Sequence, residues 1–143
     1  MAFLEGKKDK VPMTNVTHTR PLSPHLSIYK QIPTMVMSIL HRITGMALYA
    51  GTLLVAWWLV AAASGEAYFG WVNGIFGSFL GRLVLFGYTW ALVHHLLGGI
   101  RHFIWDTGRG FDPQTSTKMA WATITGSVIL TVLIWIAGYA TRF

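Results

Sequence analysis

Cysteine is absent from the chain, which excludes disulfides, thiolate metal sites, iron–sulfur ligation and a cysteine nucleophile within it. Any cofactor it holds must use other ligands. Charge is scarce as well: only 11% of the 143 residues are Asp, Glu, Lys or Arg, against about one-quarter in soluble domains. There is no flavin or dinucleotide fingerprint such as G-x-G-x-x-G. No internal repeat and no low-complexity segment stands out, and the first 20 residues carry no apolar core of a secretory signal. That stretch contains Glu5 and Asp9, unlike an acid-poor mitochondrial presequence, so the expected setting is a bacterial inner membrane or a processed organellar protein.

What is present is apolar: 53% of the residues, gathered into three long stretches. Each reaches the roughly 20 residues a helix needs to cross about 30 Å of hydrocarbon, and none alternates as a barrel strand would. The expected fold is all-α, an integral membrane bundle of three transmembrane helices, at about Thr34 to Ala63, Phe79 to Trp105 and Met119 to Tyr139. The predicted domain division is an N-terminal interfacial segment, residues 1–33, followed by the transmembrane domain, residues 34–143. In the former, RPLSPHLSIYKQIP carries Pro21, Pro24 and Pro33, which break a long helix and favour an extended path along the membrane surface. The second helix is expected after a Gly-rich approach, with the Gly77-xxx-Gly81 spacing as a close-approach face.

The net charge of +6 does not indicate nucleic acid, because the basic residues sit near the N-terminus and at the ends of apolar segments. Lys7, Lys8, Lys10, Arg20 and Lys30 precede the first helix, Arg101, Arg109 and Lys118 flank the second loop, and the first loop has no basic residue before Arg82. The bias predicts that the N-terminus and second loop lie on the cytoplasmic side, or in the matrix of an organelle.

Several polar residues are not what lipid would select. In Ser38-Ile39-Leu40-His41-Arg42-Ile43-Thr44-Gly45, helical steps of three, four and seven bring Ser38, His41, Arg42 and Gly45 to one face. Arg42 could snorkel to the interface; two turns inside the helix, however, an unpaired lipid-facing Arg costs about 2 to 3 kcal/mol on insertion scales, and a polar partner answers that cost. In Val93-His94-His95-Leu96-Leu97-Gly98-Gly99-Ile100-Arg101-His102-Phe103-Ile104-Trp105-Asp106, His95 and His102 share a face and the two glycines clear space beside His95 for a flat macrocycle. Without thiolates, a neutral imidazole is the expected iron ligand, its other nitrogen held by an acceptor. A buried histidine bonded to a neighbouring helix is the plainer account of the same residue. The two clusters should lie at similar depth, so Arg42, His41, Arg101 and His102 are candidates to meet haem propionates at the rim. Adjacent side chains on one helix cannot reach both faces of an iron, so a six-coordinate site needs a ligand from a second chain.

SILHRITG, HHLLGGIRHFIWD and RPLSPHLSIY together resemble the cytochrome b large membrane-anchor subunits of succinate dehydrogenase, respiratory complex II, over residues 20 to 143. The resemblance implies that His95, rather than His94, ligates haem b, with His41 near its propionates. It implies Ser38 and Arg42 in a ubiquinone pocket, and Asp106 near the quinone entry and its proton supply. The implied partners are a second small membrane anchor supplying the other haem ligand, an iron–sulfur subunit and a flavoprotein subunit that oxidises succinate. The chain by itself would not oxidise succinate. Two rivals remain open: a haem-free structural anchor, and a small transporter with His and Arg along an ion path.

Overall fold

The computed structural model describes residues 30–141, and the described residues after Lys30 belong to one compact unit, Gln31–Phe143. The proline-rich segment as far as residue 29, and with it the RPLSPHLSIY motif, lies outside the described residues. Four helices follow one another: α1 Pro33–Ser64, α2 Glu66–Gly77, α3 Phe79–Asp106 and α4 Pro113–Ala140. Three of them, α1, α3 and α4, are long and apolar enough to cross a membrane. At 32, 28 and 28 residues they run about 42 to 48 Å at 1.5 Å per residue, longer than the hydrocarbon core of about 30 Å and long enough to reach both headgroup layers.

The breaks between helices have local causes. Pro33 occupies the first turn of α1, after Ile32 in extended conformation, where its missing N–H costs nothing. Gly65 ends the helix with φ 119°, a conformation that side chains disfavour, and Glu66 opens α2 with an acid in the first turn. The Ser78 hydroxyl oxygen accepts the Gly81 amide at 3.1 Å to cap α3. Gly108, at φ 77°, donates its amide to the Trp105 carbonyl at 2.8 Å as α3 ends. Asp112 then caps α4, accepting from the amides of Gln114 at 3.1 Å and Thr115 at 2.9 Å. Hydrogen bonds from the Thr115 hydroxyl and from these amides hold its carboxyl below the usual range.

Two expectations are corrected here. The Gly-rich approach to the second span is a helix, α2, whose 12 residues make about 18 Å, too short to cross. It packs on the end of α1: Trp57 donates to the Tyr68 hydroxyl at 2.8 Å, Trp58 donates to Asn73 Oδ1 at 2.9 Å, and Val72 is fully buried. Gly77 and Gly81 therefore lie on different helices and form no common face. A Cβ at Gly81 would strike the Ile75 carbonyl and the Phe76 backbone, whereas one at Gly77 would meet nothing within 4 Å. The third span also begins at Pro113, six residues before the expected Met119, because the Asp-Pro cap starts the helix ahead of the rise in hydropathy.

The bundle interior is built of small and hydroxyl side chains. The buried residues are Met37, Thr44, Gly51 and Ala61 on α1, Ala91, Val93, His94, Gly98 and Arg101 on α3, and Ala120, Thr123, Ser127 and Thr131 on α4. Large apolar residues such as Tyr49, Leu53, Phe79 and Phe103 face outward. This inverts the soluble pattern, as expected where lipid solvates apolar surface and close backbone approach drives association. Thr44, Thr123 and Thr131 return their hydroxyl protons to carbonyls four residues back, at 2.7 to 2.8 Å, so the interior hydroxyls do not go unpaired.

Candidate functional site

The N-terminal half of α1 meets the C-terminal half of α3 through imidazoles. The rings of His41 and His95 stack in parallel, with centroids 3.9 Å apart and planes 6° apart, and His102 stands 5.1 Å from His41. Glycines make this approach feasible from both sides. A Cβ at Gly98 would collide with the His41 ring, and one at Gly45 would come within 3.1 Å of His95 Cε1. The stack is in van der Waals contact, so no flat macrocycle fits between these two rings, and they cannot flank one iron.

The surroundings fix the tautomer of His95. Its Nδ1 lies 3.2 Å from the His41 carbonyl and 3.3 Å from Thr44 Oγ1. The Thr44 hydroxyl proton is already directed to the carbonyls of Leu40 at 2.8 Å and His41 at 3.0 Å. Both neighbours are thus acceptors toward Nδ1, which must carry the hydrogen and leaves Nε2 with a free lone pair. Thr44 was not singled out from the sequence, although its position three residues after His41 puts it on the same face.

His94 faces the other way. Fully buried, it places Nδ1 3.2 Å from Ser127 Oγ on α4. Ser127 gives its proton to the Ile124 carbonyl at 2.8 Å, so His94 donates from Nδ1, and its Nε2 is buried with no partner among the described residues. Adjacent positions on a helix differ by about 100°, and here that turn separates an imidazole pinned against α4 from one aimed at α1. Sequence alone did not mark Ser127, one of several hydroxyls in α4.

The structure also divides the expected rim residues. Arg101 is 3% exposed, its guanidinium carbon 4.9 Å above the Trp105 ring, with Nε and Nη1 lacking hydrogen-bond partners; His41 Nδ1 is buried without one as well. His102 is exposed on the neighbouring ridge. Ser38, Arg42 and Asp106 are exposed too, and among the described residues Arg42 has no acidic partner. Thus the rings of His41, His95 and His102 are brought together, while among the described residues no side-chain hydrogen bond or ion pair joins Ser38, Arg42 or Asp106 to them. Among the described residues no group of three His, Asp or Glu side chains could hold a bare metal ion.

Long apolar helices carrying a half-buried imidazole cluster and an unpaired guanidinium define a membrane protein able to take a ligand bearing acceptors. The chain belongs to the succinate dehydrogenase/fumarate reductase transmembrane subunit family, whose model matches residues 16–134. It is 46% identical over 114 residues to the succinate dehydrogenase cytochrome b556 subunit of Paracoccus denitrificans, covering 80% of this chain and 88% of that one. The corresponding subunit of Rickettsia felis is 36% identical over 121 residues, covering 85% and 94%. The mitochondrial cytochrome b560 subunit of Sus scrofa is 38% identical over 121 residues, covering 83% and 69%.

Proposed function

We propose that this chain is the membrane-anchor cytochrome b subunit of a succinate:ubiquinone oxidoreductase, binding haem b and contributing to the site of ubiquinone reduction. The observation that carries the reading is the fixed tautomer of His95. An Nδ1–H held by the His41 carbonyl and Thr44, with Nε2 free, is the state in which an imidazole would ligate iron. The donor set fits the group: unpartnered Arg101 and His41 suit the propionates, together with His102, and Gly98 and Gly45 keep bulk away from the imidazoles. His94 also has its Nδ1 engaged, by Ser127, and its Nε2 without a partner among the described residues. The choice of His95 therefore rests on the family resemblance and on its place beside His41, Gly45 and Gly98. When bound, the haem would supply a one-electron carrier, and a second small membrane anchor would provide its other protein ligand.

Ubiquinone reduction consumes two electrons and two protons. Electrons come from succinate through a flavoprotein subunit and an iron–sulfur subunit. Ser38 hydrogen-bonds a quinone carbonyl, Arg42 stabilises negative charge as it develops on the quinone oxygen, and Asp106 relays protons from the aqueous side. The exposure of Ser38 and Arg42 in the single chain leaves them available to a pocket completed by other subunits. The setting is a bacterial inner membrane with a cytoplasmic N-terminus, or the mitochondrial inner membrane in a eukaryote.

A complex purified through this chain tests the proposal. Wild type and Arg42→Ala should both oxidise succinate with a soluble dye, whereas ubiquinone turnover falls on the order of 10²-fold in the variant, the usual cost of losing one donor at a developing oxyanion. Unchanged ubiquinone turnover, or a purified chain with no succinate-oxidising partner, would overturn it.

A further inference from the structure

At the end of the bundle away from the histidines, the four helices border a laterally open cleft of about 830 Å³, within the range of about 300 to 1,000 Å³ typical of small-molecule sites. Its walls on α1, α3 and α4 include Leu54, Val55, Leu85 and Ile134, and α2 closes one side with Phe76 and Asn73. On α1 it begins at Gly51, about 15 Å along the axis from His41, so it is separate from the haem and quinone residues.

The polar groups lining it are unusual in kind. Asn73 accepts the Trp58 indole N–H at 2.9 Å through Oδ1, which leaves its amide nitrogen with two hydrogens to give. Arg82 uses Nε on the Gly77 carbonyl at 2.7 Å, leaving the terminal nitrogens of the guanidinium. The Tyr88 hydroxyl has no hydrogen bond among the described residues, its ring being seated against Gly51, where a Cβ would overlap it. All three line the same cavity, and all three offer donors without an acceptor. Arg82 is moreover the only Lys or Arg between Arg42 and Arg101. Apolar walls, spare donors and one fixed cation call for a ligand with hydrocarbon chains and an anionic, acceptor-rich head.

We infer that this cavity binds an anionic phospholipid from the leaflet opposite the histidines, its phosphate on Arg82, Asn73 and Tyr88 and an acyl chain between α1, α3 and α4. Bound lipid would tie the short α2 to the spanning helices at the corner where Arg82 already joins α2 to α3. A partner side chain filling the space, or a quinone lodged there, are the competing occupants, and the experiment separates them.

The complex purified through this chain is stripped of lipid and titrated in mixed micelles with phosphatidylglycerol or phosphatidylcholine, and retained lipid is counted by native mass spectrometry. Wild type should retain phosphatidylglycerol in preference to phosphatidylcholine. Arg82→Gln should weaken phosphatidylglycerol binding about five-fold, the worth of one basic residue at an anionic surface, and Arg82→Lys should restore the preference. Gly138→Leu should abolish retention of both lipids, because Gly138 lines the cavity and a Cβ there meets nothing within 4 Å, so the added side chain occupies the space without breaking the fold. Equal retention of the two lipids by wild type, an unaltered preference in Arg82→Gln, or a quinone retained in the lipid's place and lost in Gly138→Leu would overturn the inference.

Discussion

Replacing Ser127 by alanine tests whether α3 is held in rotation by its contact with α4. The substitution removes the oxygen that accepts His94 Nδ1–H at 3.2 Å. His94 is fully buried and its Nε2 has no partner, so the variant leaves an imidazole with neither nitrogen bonded. A buried donor stripped of its acceptor costs about 1 to 3 kcal/mol in proteins generally, while hydrogen bonds between membrane helices average about 0.6 kcal/mol and reach about 1.7. The void left by one hydroxyl is small, so the expected loss is about 1 to 2 kcal/mol. Reversible denaturation of the purified complex in mixed micelles, followed by circular dichroism, gives the value. The decisive comparison is a double-mutant cycle: in a His94→Leu background Ser127→Ala should cost less than about 0.5 kcal/mol, because the donor is gone. An equal cost in both backgrounds would refute the contact.

Gly98→Val places a branched side chain where His41 lies against the backbone, and should part α1 from α3 at a cost of about 1 to 3 kcal/mol, seen as a lower yield of assembled complex; Gly99→Ala, where a Cβ meets nothing within 4 Å, should assemble normally. The Asp112 carboxyl, held low by Thr115 and Gln114, stabilises the start of α4 at pH values above the ordinary carboxylate pKa, and that support disappears as the pH falls through the lowered folded value. Hydrogen exchange at the Gln114 and Thr115 amides should therefore quicken in Asp112→Ala at neutral pH, with the difference from wild type closing in acid. Gly51→Leu should be poorly tolerated, since even a Cβ overlaps the Tyr88 ring, and thermal unfolding of the complex measures the loss.

The three spans were legible because a bilayer imposes a length and an apolar composition that few other structures share. Helix α2 was not: its glycines at 70, 74 and 77 read as a loop, and only packing of Trp57 and Trp58 against Tyr68, Phe69 and Asn73 makes a short glycine-bearing helix worthwhile. The start of α4 was hidden by a polar first turn, although Asp112-Pro113 carried the cap signal. At the site, helical period alone brought His41, His95 and His102 to compatible faces. It left His94 and His95 unseparated, because two neighbours in a buried helix both face protein and only the partner helices show which way each points. Thr44 and Ser127 escaped for a related reason: a membrane helix uses many hydroxyls to satisfy its own carbonyls, and nothing local marks the two that also orient an imidazole.

The most direct test of the account is a dithionite-reduced minus oxidised absorption spectrum of the complex purified through this chain, compared for wild type, His95→Leu and His94→Leu. The account predicts a b-type α-band in wild type that persists in His94→Leu and is lost in His95→Leu. No band in fully assembled wild-type complex, or a band that survives His95→Leu and disappears in His94→Leu, would contradict it.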